Sequence, residues 1–188
     1  MLLISLLMLS PAQAGPTTET DHGLAGLFER LEFDSDERIN FVETRQSDLL
    51  DEPLEVHGVL YRHEDRLVRE TTAPREETHT LSARHVEIRN PAGHRQRFSL
   101  SRAPELGVLR QALLAVLERD HETLEQHFAT ELTCGRDGHW TLVLVPRDET
   151  MAKRVERLEM LGVDNRIKGL RMVLDDGEMI ETRFKPDA

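Results

Sequence analysis

Few residues of this chain have the type and spacing that covalent chemistry needs. Cys134 is the single cysteine. A lone thiol becomes a nucleophile only beside a base, and no histidine stands at a spacing that argues for a dyad. Without a second cysteine there is no internal disulfide and no thiolate cluster for zinc. A buried strand position is the plainer expectation for it. Nine histidines raise the question of a metal, yet none falls in a His-Glu-x-x-His or comparable pattern. His121 and His127 stand on different sides of any helix that holds them both. Asp175-Asp176 precedes Gly177, where turn carboxylates need no catalytic role. There is no Gly-x-Ser-x-Gly elbow, Walker loop or dinucleotide fingerprint. The expectation is therefore no catalytic residue, no metal and no cofactor. An exported hydrolase using Cys134 or a histidine–carboxylate pair is the alternative from another class.

What does recur is apolar spacing. Between Pro53 and Pro74, Leu54, Val56, Gly58 and Leu60 alternate with Glu55, His57, Val59 and Tyr61. A period of two puts the first set on one face of a strand. Arg62 to Asp65 make a polar turn, and Arg66 to Thr72 return as a second strand closed by Pro74, which cannot donate to a ladder. This hairpin seeds an antiparallel sheet. Before it, Leu24, Leu27, Phe28 and Leu31 recur at helical spacing, and Arg38 to Arg45 alternates around Ile39 and Phe41. After it come three short strands: Glu76 to Leu81, Arg84 to Arg89 with Val86 and Ile88 on one face, and Arg95 to Leu100 carrying Phe98.

Then the period changes. Pro104 opens a helix with Leu106, Leu109, Leu113, Val116 and Leu117 in one stripe. A short helix from His121 turns Leu124 and Phe128 inward. Strands resume at Leu132 to Cys134 and His139 to Pro146. The second of these carries Leu142 and Leu144 and is apolar on both faces around Val143, which predicts a place in the middle of the sheet. Asp148 can cap a single helical turn. Arg157 to Leu161, Ile167 to Leu174 with Leu170 and Met172 on one face, and Glu178 to Phe184 complete the chain, with Asp176-Gly177 as a hairpin turn.

Helix, strands, helices and strands again describe a mainly β, α+β chain. A continuous antiparallel sheet of about eleven strands curls, so an incomplete, strongly curved barrel with helices over its concave side is expected. Every second residue would line its interior. Phe41, Leu54, Val56 and Leu60 come from the first strands, and Val86, Ile88 and Phe98 from the next. Leu142, Leu144, Leu170 and Met172 come from the last strands, and Leu109, Leu113 and Leu117 from the covering helix. The pattern leaves open whether that interior is hollow or packed.

Acidic residues outnumber basic ones by 35 to 24, a net charge of −11. An acidic chain without a basic run is a poor partner for nucleic acid or anionic lipid. Leu2 to Leu9 is apolar, and Ala12-Gln13-Ala14 has the small-x-small form of a secretory cleavage site. The run is shorter than the ~20 residues a bilayer requires. A signal peptide over 1–14, export and one domain over 15–188 are expected.

The phrase Gly58-x-Leu60-Tyr61-x-x-x-Asp65-Arg66-Leu67-x-Arg69-x-x-x-x-Pro74 resembles the central motif of the LolA family, periplasmic carriers of outer-membrane lipoproteins. The likeness extends to Phe41-x-Glu43, the Pro104 helix, Trp140-x-Leu142-x-Leu144-x-Pro146 and the closing Asp-Gly hairpin. It is closest to the diverged LolA-related branch. The resemblance implies an incomplete barrel covered by helices, with an apolar interior that takes up acyl chains. It further implies a monomeric carrier between an inner-membrane donor complex and an outer-membrane acceptor. Its cargo would be a lipidated protein, or another amphiphile such as a glycolipid or polyene lipid. The family usually has a proline two residues before the position of Arg66, often preceded by an arginine that ties barrel to lid. Here Glu64 takes the proline position and His63 precedes it, which leaves Arg62 as the candidate lid contact.

Overall fold

A computed structural model describes residues 23–32, 38–48 and 50–185. The expected signal peptide over 1–14 lies outside them.

The first described element is the helix α1 (Leu24–Arg30), with Leu27 and Phe28 buried. Six strands follow as a meander, each pairing antiparallel with the next: β1 (Ile39–Gln46), β2 (Leu54–His63), β3 (Arg66–Ala73), β4 (Glu77–Leu81), β5 (His85–Arg89) and β6 (Arg95–Ser99). A 3-10 turn (Leu100–Arg102) leads into α2 (Pro104–Leu117) and α3 (His121–His127). A second meander then runs through β7 (Phe128–Cys134), β8 (His139–Pro146), β9 (Val155–Val163), β10 (Arg166–Leu174) and β11 (Met179–Lys185). The short helix α4 (Glu149–Ala152) lies between β8 and β9, capped by the Asp148 carboxylate. The two meanders join where β1 pairs with β11, with Phe41 opposite Phe184. The result is one 11-stranded antiparallel sheet that runs from β6 through the β1–β11 seam to β7 and does not close.

Curvature follows from what α2 touches. It packs against both β4 and β9, although β3, β2, β1, β11 and β10 lie between them in the sheet. Laid flat, those strands would hold β4 and β9 roughly 29 Å apart, against a helix diameter of about 10–12 Å. The sheet therefore wraps around the helix. Arg119, at a left-handed φ of 56° just past α2, donates to the carbonyls of Phe28, Glu29 and Leu31. A cation at the carboxyl end of α1 suits the helix dipole there. Asp120 caps α3 by accepting from the Thr123 amide at 2.8 Å.

Four expectations need correction. The run around Val143 does not lie mid-sheet: β8 is next to the edge strand β7, and Val145 is 42% exposed. Phe128 belongs to β7, which starts four residues before Leu132, and is buried there. The stripe on α2 is broader than its leucines. Val108, Ala112, Ala115 and Val116 are its most buried residues, because the helix is surrounded by sheet on two flanks. Cys134 is exposed rather than buried, at the far end of the edge strand.

Gly58 faces Phe41 across the β1–β2 ladder. A β-carbon there would overlap the Glu70 carbonyl and meet the Phe41 ring at 2.8 Å. Gly58→Val is expected to lower stability by about 1–3 kcal/mol, read as a lower urea midpoint with an unchanged slope.

Candidate functional site

The concave face collects most of the residues expected to line it. Phe41, Val56, Leu60 and Val86 are buried there, and so are Leu142, Leu144, Leu170 and Met172. Leu113 reaches the same cluster from α2. Ile88, Phe98 and Leu109 are half-buried against it. Two positions depart. Leu54 opens β2 opposite Arg45 and is 40% exposed rather than buried. Leu117, in the last turn of α2, is half-buried and lies outside the cluster.

Between α2 and the sheet lies a cavity of about 40 Å³. Leu106 and Leu109 line it from the helix, and Leu158, Leu170, Met172 and Ile180 from the sheet. Small-molecule pockets run to about 300–1,000 Å³, so this space holds no acyl chain with the helix in place. Here, side chains of the helix occupy the concavity.

The cavity has a polar end as well. Glu43, Arg69 and Thr182 line it beside the aliphatic residues, with Arg45 at its margin. Strand parity explains this: Glu43 is two residues from Phe41, and Arg69 two from Leu67, so each shares the concave face with its apolar neighbour. Glu43 and Arg69 are only 5% and 6% exposed. The Glu43 carboxylate accepts from Arg69 at 3.0 Å, from Arg45 at 2.9 Å and from the Thr182 hydroxyl at 3.4 Å. The Arg69 guanidinium also lies 4.9 Å from the centre of the Phe41 ring. Burial pulls Arg69 below the ordinary arginine value, opposed by the Glu43 charge. Such a pair stays ionised only because every member has a partner. One strand further, His79 shares a 3.1 Å hydrogen bond with Glu77, and burial holds its imidazole below the usual histidine value.

A family profile for outer membrane lipoprotein carrier proteins of the LolA-like type matches residues 14–186. The chain belongs to this LolA-like family. Among curated proteins, none matches the chain. Among solved structures, a LolA superfamily protein from Nitrosomonas europaea is 12% identical, covering 86% of this chain and 90% of its own at a TM-score of 0.46. A putative outer membrane lipoprotein-sorting protein domain from Vibrio parahaemolyticus is 11% identical, covering 86% and 88% at a TM-score of 0.46.

Within this LolA-like chain, the β2–β3 turn departs from the proline pattern for a backbone reason. Glu64 has a φ of 55°, a left-handed value that proline cannot adopt. Arg62, the expected lid contact, meets Glu118 at the end of α2 at 3.5 Å and donates to the Glu64 carbonyl at 2.6 Å. Arg110 of α2 reaches back to the Asp65 carbonyl at 2.9 Å. The turn is thus tied to the covering helix from both sides. Arg110 gave no signal in the sequence beyond being the polar residue next to Leu109 in the apolar stripe. Cys134 makes no hydrogen bond to a base among the described residues. Among the described residues, no three metal-ligating side chains converge.

Two measurements probe the polar end. Glu43→Leu strands Arg69 without its carboxylate and is expected to cost about 3–5 kcal/mol. Arg69→Met should cost less, because Arg45 and Thr182 still hold Glu43. Urea denaturation of both variants checks the order. His79 stays neutral more readily when folded, so the unfolded chain binds the proton first. Its contribution to stability is complete above about pH 6.5 and is lost as pH falls below that value. His79→Gln should flatten the stability curve in that acidic window, with the parent steeper.

Proposed function

We propose that this protein is a periplasmic lipid carrier that takes the acyl chains of a lipidated protein between α2 and the concave face and hands them on towards the outer membrane. The observation that carries this reading is the apolar concavity, occupied by a helix whose end is held to the sheet by polar contacts. Exposed ion pairs such as Arg62–Glu118 contribute only about 0–1 kcal/mol. Each methylene of an incoming chain contributes roughly 0.8 kcal/mol on burial. An acyl chain can therefore replace the apolar side chains of α2 on the sheet, while the helix swings on the turn that tethers it.

Family membership supports a lipid or lipoprotein carrier. The amphipathic lining supports an amphiphile over plain hydrocarbon: aliphatic residues face the chain, and Arg45 stands at the margin for a headgroup. An inner-membrane donor, an outer-membrane acceptor and a monomeric carrier complete the proposal. The hydrolase alternative is the weaker reading, since no hydrogen bond among the described residues joins the exposed Cys134 to a base.

Leu109 lies half-buried at the cavity, where a carboxylate can still reach water. Leu109→Glu is expected to lose most uptake of a fluorescent fatty acid while keeping a cooperative melt. Mass spectrometry of solvent extracts from the protein purified from its own periplasm should show co-purifying lipid. A parent that neither binds the probe nor carries lipid would sink the reading, as would a variant that binds like the parent.

A further inference from the structure

We propose that the outer edge of β6, which no strand covers among the described residues, takes up an acidic, extended segment of a partner protein as an additional strand. The inference goes beyond lipid carriage and does not depend on the cargo.

Charge is the first observation. The protein is acidic overall, yet residues 84–102 hold five arginines, Arg84, Arg89, Arg95, Arg97 and Arg102, against the single acid Glu87. They are spread along the chain, so they form no basic run. Pairing of β5 with β6 gathers them at one end of the open sheet. All five are exposed, and none makes an ion pair or side-chain hydrogen bond among the described residues. On the second meander, by contrast, Arg154, Arg157 and Arg171 are each paired with carboxylates. Arg89 and Arg95 lie directly opposite each other, an arrangement that destabilises a sheet unless an anion joins them.

Ladder phase is the second. The Asn90 amide donates to the His94 carbonyl, and the Leu100 amide to the Arg84 carbonyl. In this antiparallel register, hydrogen-bonded pairs alternate with unbonded ones. Gln96 and Phe98 therefore spend their backbone groups on β5. The N–H and C=O groups of Arg95, Arg97 and Ser99 point away from it, out of the free edge. The residues with outward backbone groups are thus the ones that bring two unpaired arginine side chains. A strand laid along them gains main-chain hydrogen bonds, and acidic side chains at alternate positions would lie beside Arg95 and Arg97.

Neither edge protection nor membrane binding accounts for this arrangement as well. Charges on an edge strand discourage pairing between copies, but that does not call for Arg89, Arg84 and Arg102 too. An anionic bilayer would meet the arginines yet leave the outward amides without an ordered acceptor.

The test uses the full chain and a fluorescent peptide of alternating Glu and Val, about seven residues long to match an ordinary strand. Binding is followed by anisotropy. Arg95→Gln with Arg97→Gln should weaken it about five- to tenfold and flatten its salt dependence. Ser99→Pro fits the native φ of −71°, removes one outward N–H, leaves the charge alone and loses only exposed side-chain bonds with Ser101. It should weaken binding severalfold with the salt dependence unchanged. A version of the peptide N-methylated at alternate residues tests the parent protein directly and should not bind. The proposal is overturned by equal binding of the methylated peptide, or by arginine variants that bind like the parent. It is equally overturned if the arginines matter only for phosphatidylglycerol vesicles while the peptide fails to bind.

Discussion

The pairing of β1 with β11 is the interaction on which the architecture depends. Every other ladder joins strands that are consecutive among the strands of the chain, and so costs little loop entropy. The β1–β11 seam alone brings together segments more than a hundred residues apart, from Asn40 opposite Lys185 to Gln46 opposite Met179. Once it forms, the first meander runs outward to β6 and the second runs outward to β7. The connection between those two edges must cross the opening of the curved sheet. That connection is where α2 and α3 stand. The link from one edge to the other thus runs inside the curve, where α2 packs against β4 and β9.

This topology also explains how the cover can be both well packed and releasable. The inner surface of α2 shares a single buried cluster with strands from both meanders. The helix is also fastened to the β2–β3 turn by groups that meet water, Arg62 with Glu118 at its end and Arg110 at mid-helix with the Asp65 carbonyl. Apolar burial is non-directional and can be taken over by another apolar body, whereas polar contacts fix orientation. A helix that contributes the first and is tethered by the second is suited to exchange places with a lipid chain.

Charge is distributed with the same division of labour. Inside, the buried Glu43 carboxylate is met by Arg69, Arg45 and Thr182. Outside, Arg154, Arg157 and Arg171 are knitted into carboxylate pairs on the second meander. The basic β5–β6 hairpin stands apart from both, on the edge that the sheet leaves unpaired.

Much of this was legible in residue spacing. Alternation in Leu54 to Leu60 and in Ile167 to Leu174, and the switch to helical spacing at Pro104, follow from side-chain periods that each element imposes locally. The order of elements, the curved open sheet and the inward direction of side chains such as Phe41, Leu60, Leu142 and Met172 follow from that spacing. Position within the sheet did not. Val143 reads as central because both its neighbours are apolar, but only pairing reveals β8 as the strand beside an edge. Cys134 and Leu54 have strand-like surroundings in sequence, but they stand at strand ends, Cys134 on an edge strand, and are exposed there. The fastening of α2 by Arg110, the burial of the Glu43–Arg69 pair and the gathering of five arginines on one edge all join residues distant in the chain. Local periodicity sets which way a side chain points. What it meets there is decided by long-range pairing, and that belongs to the tertiary structure.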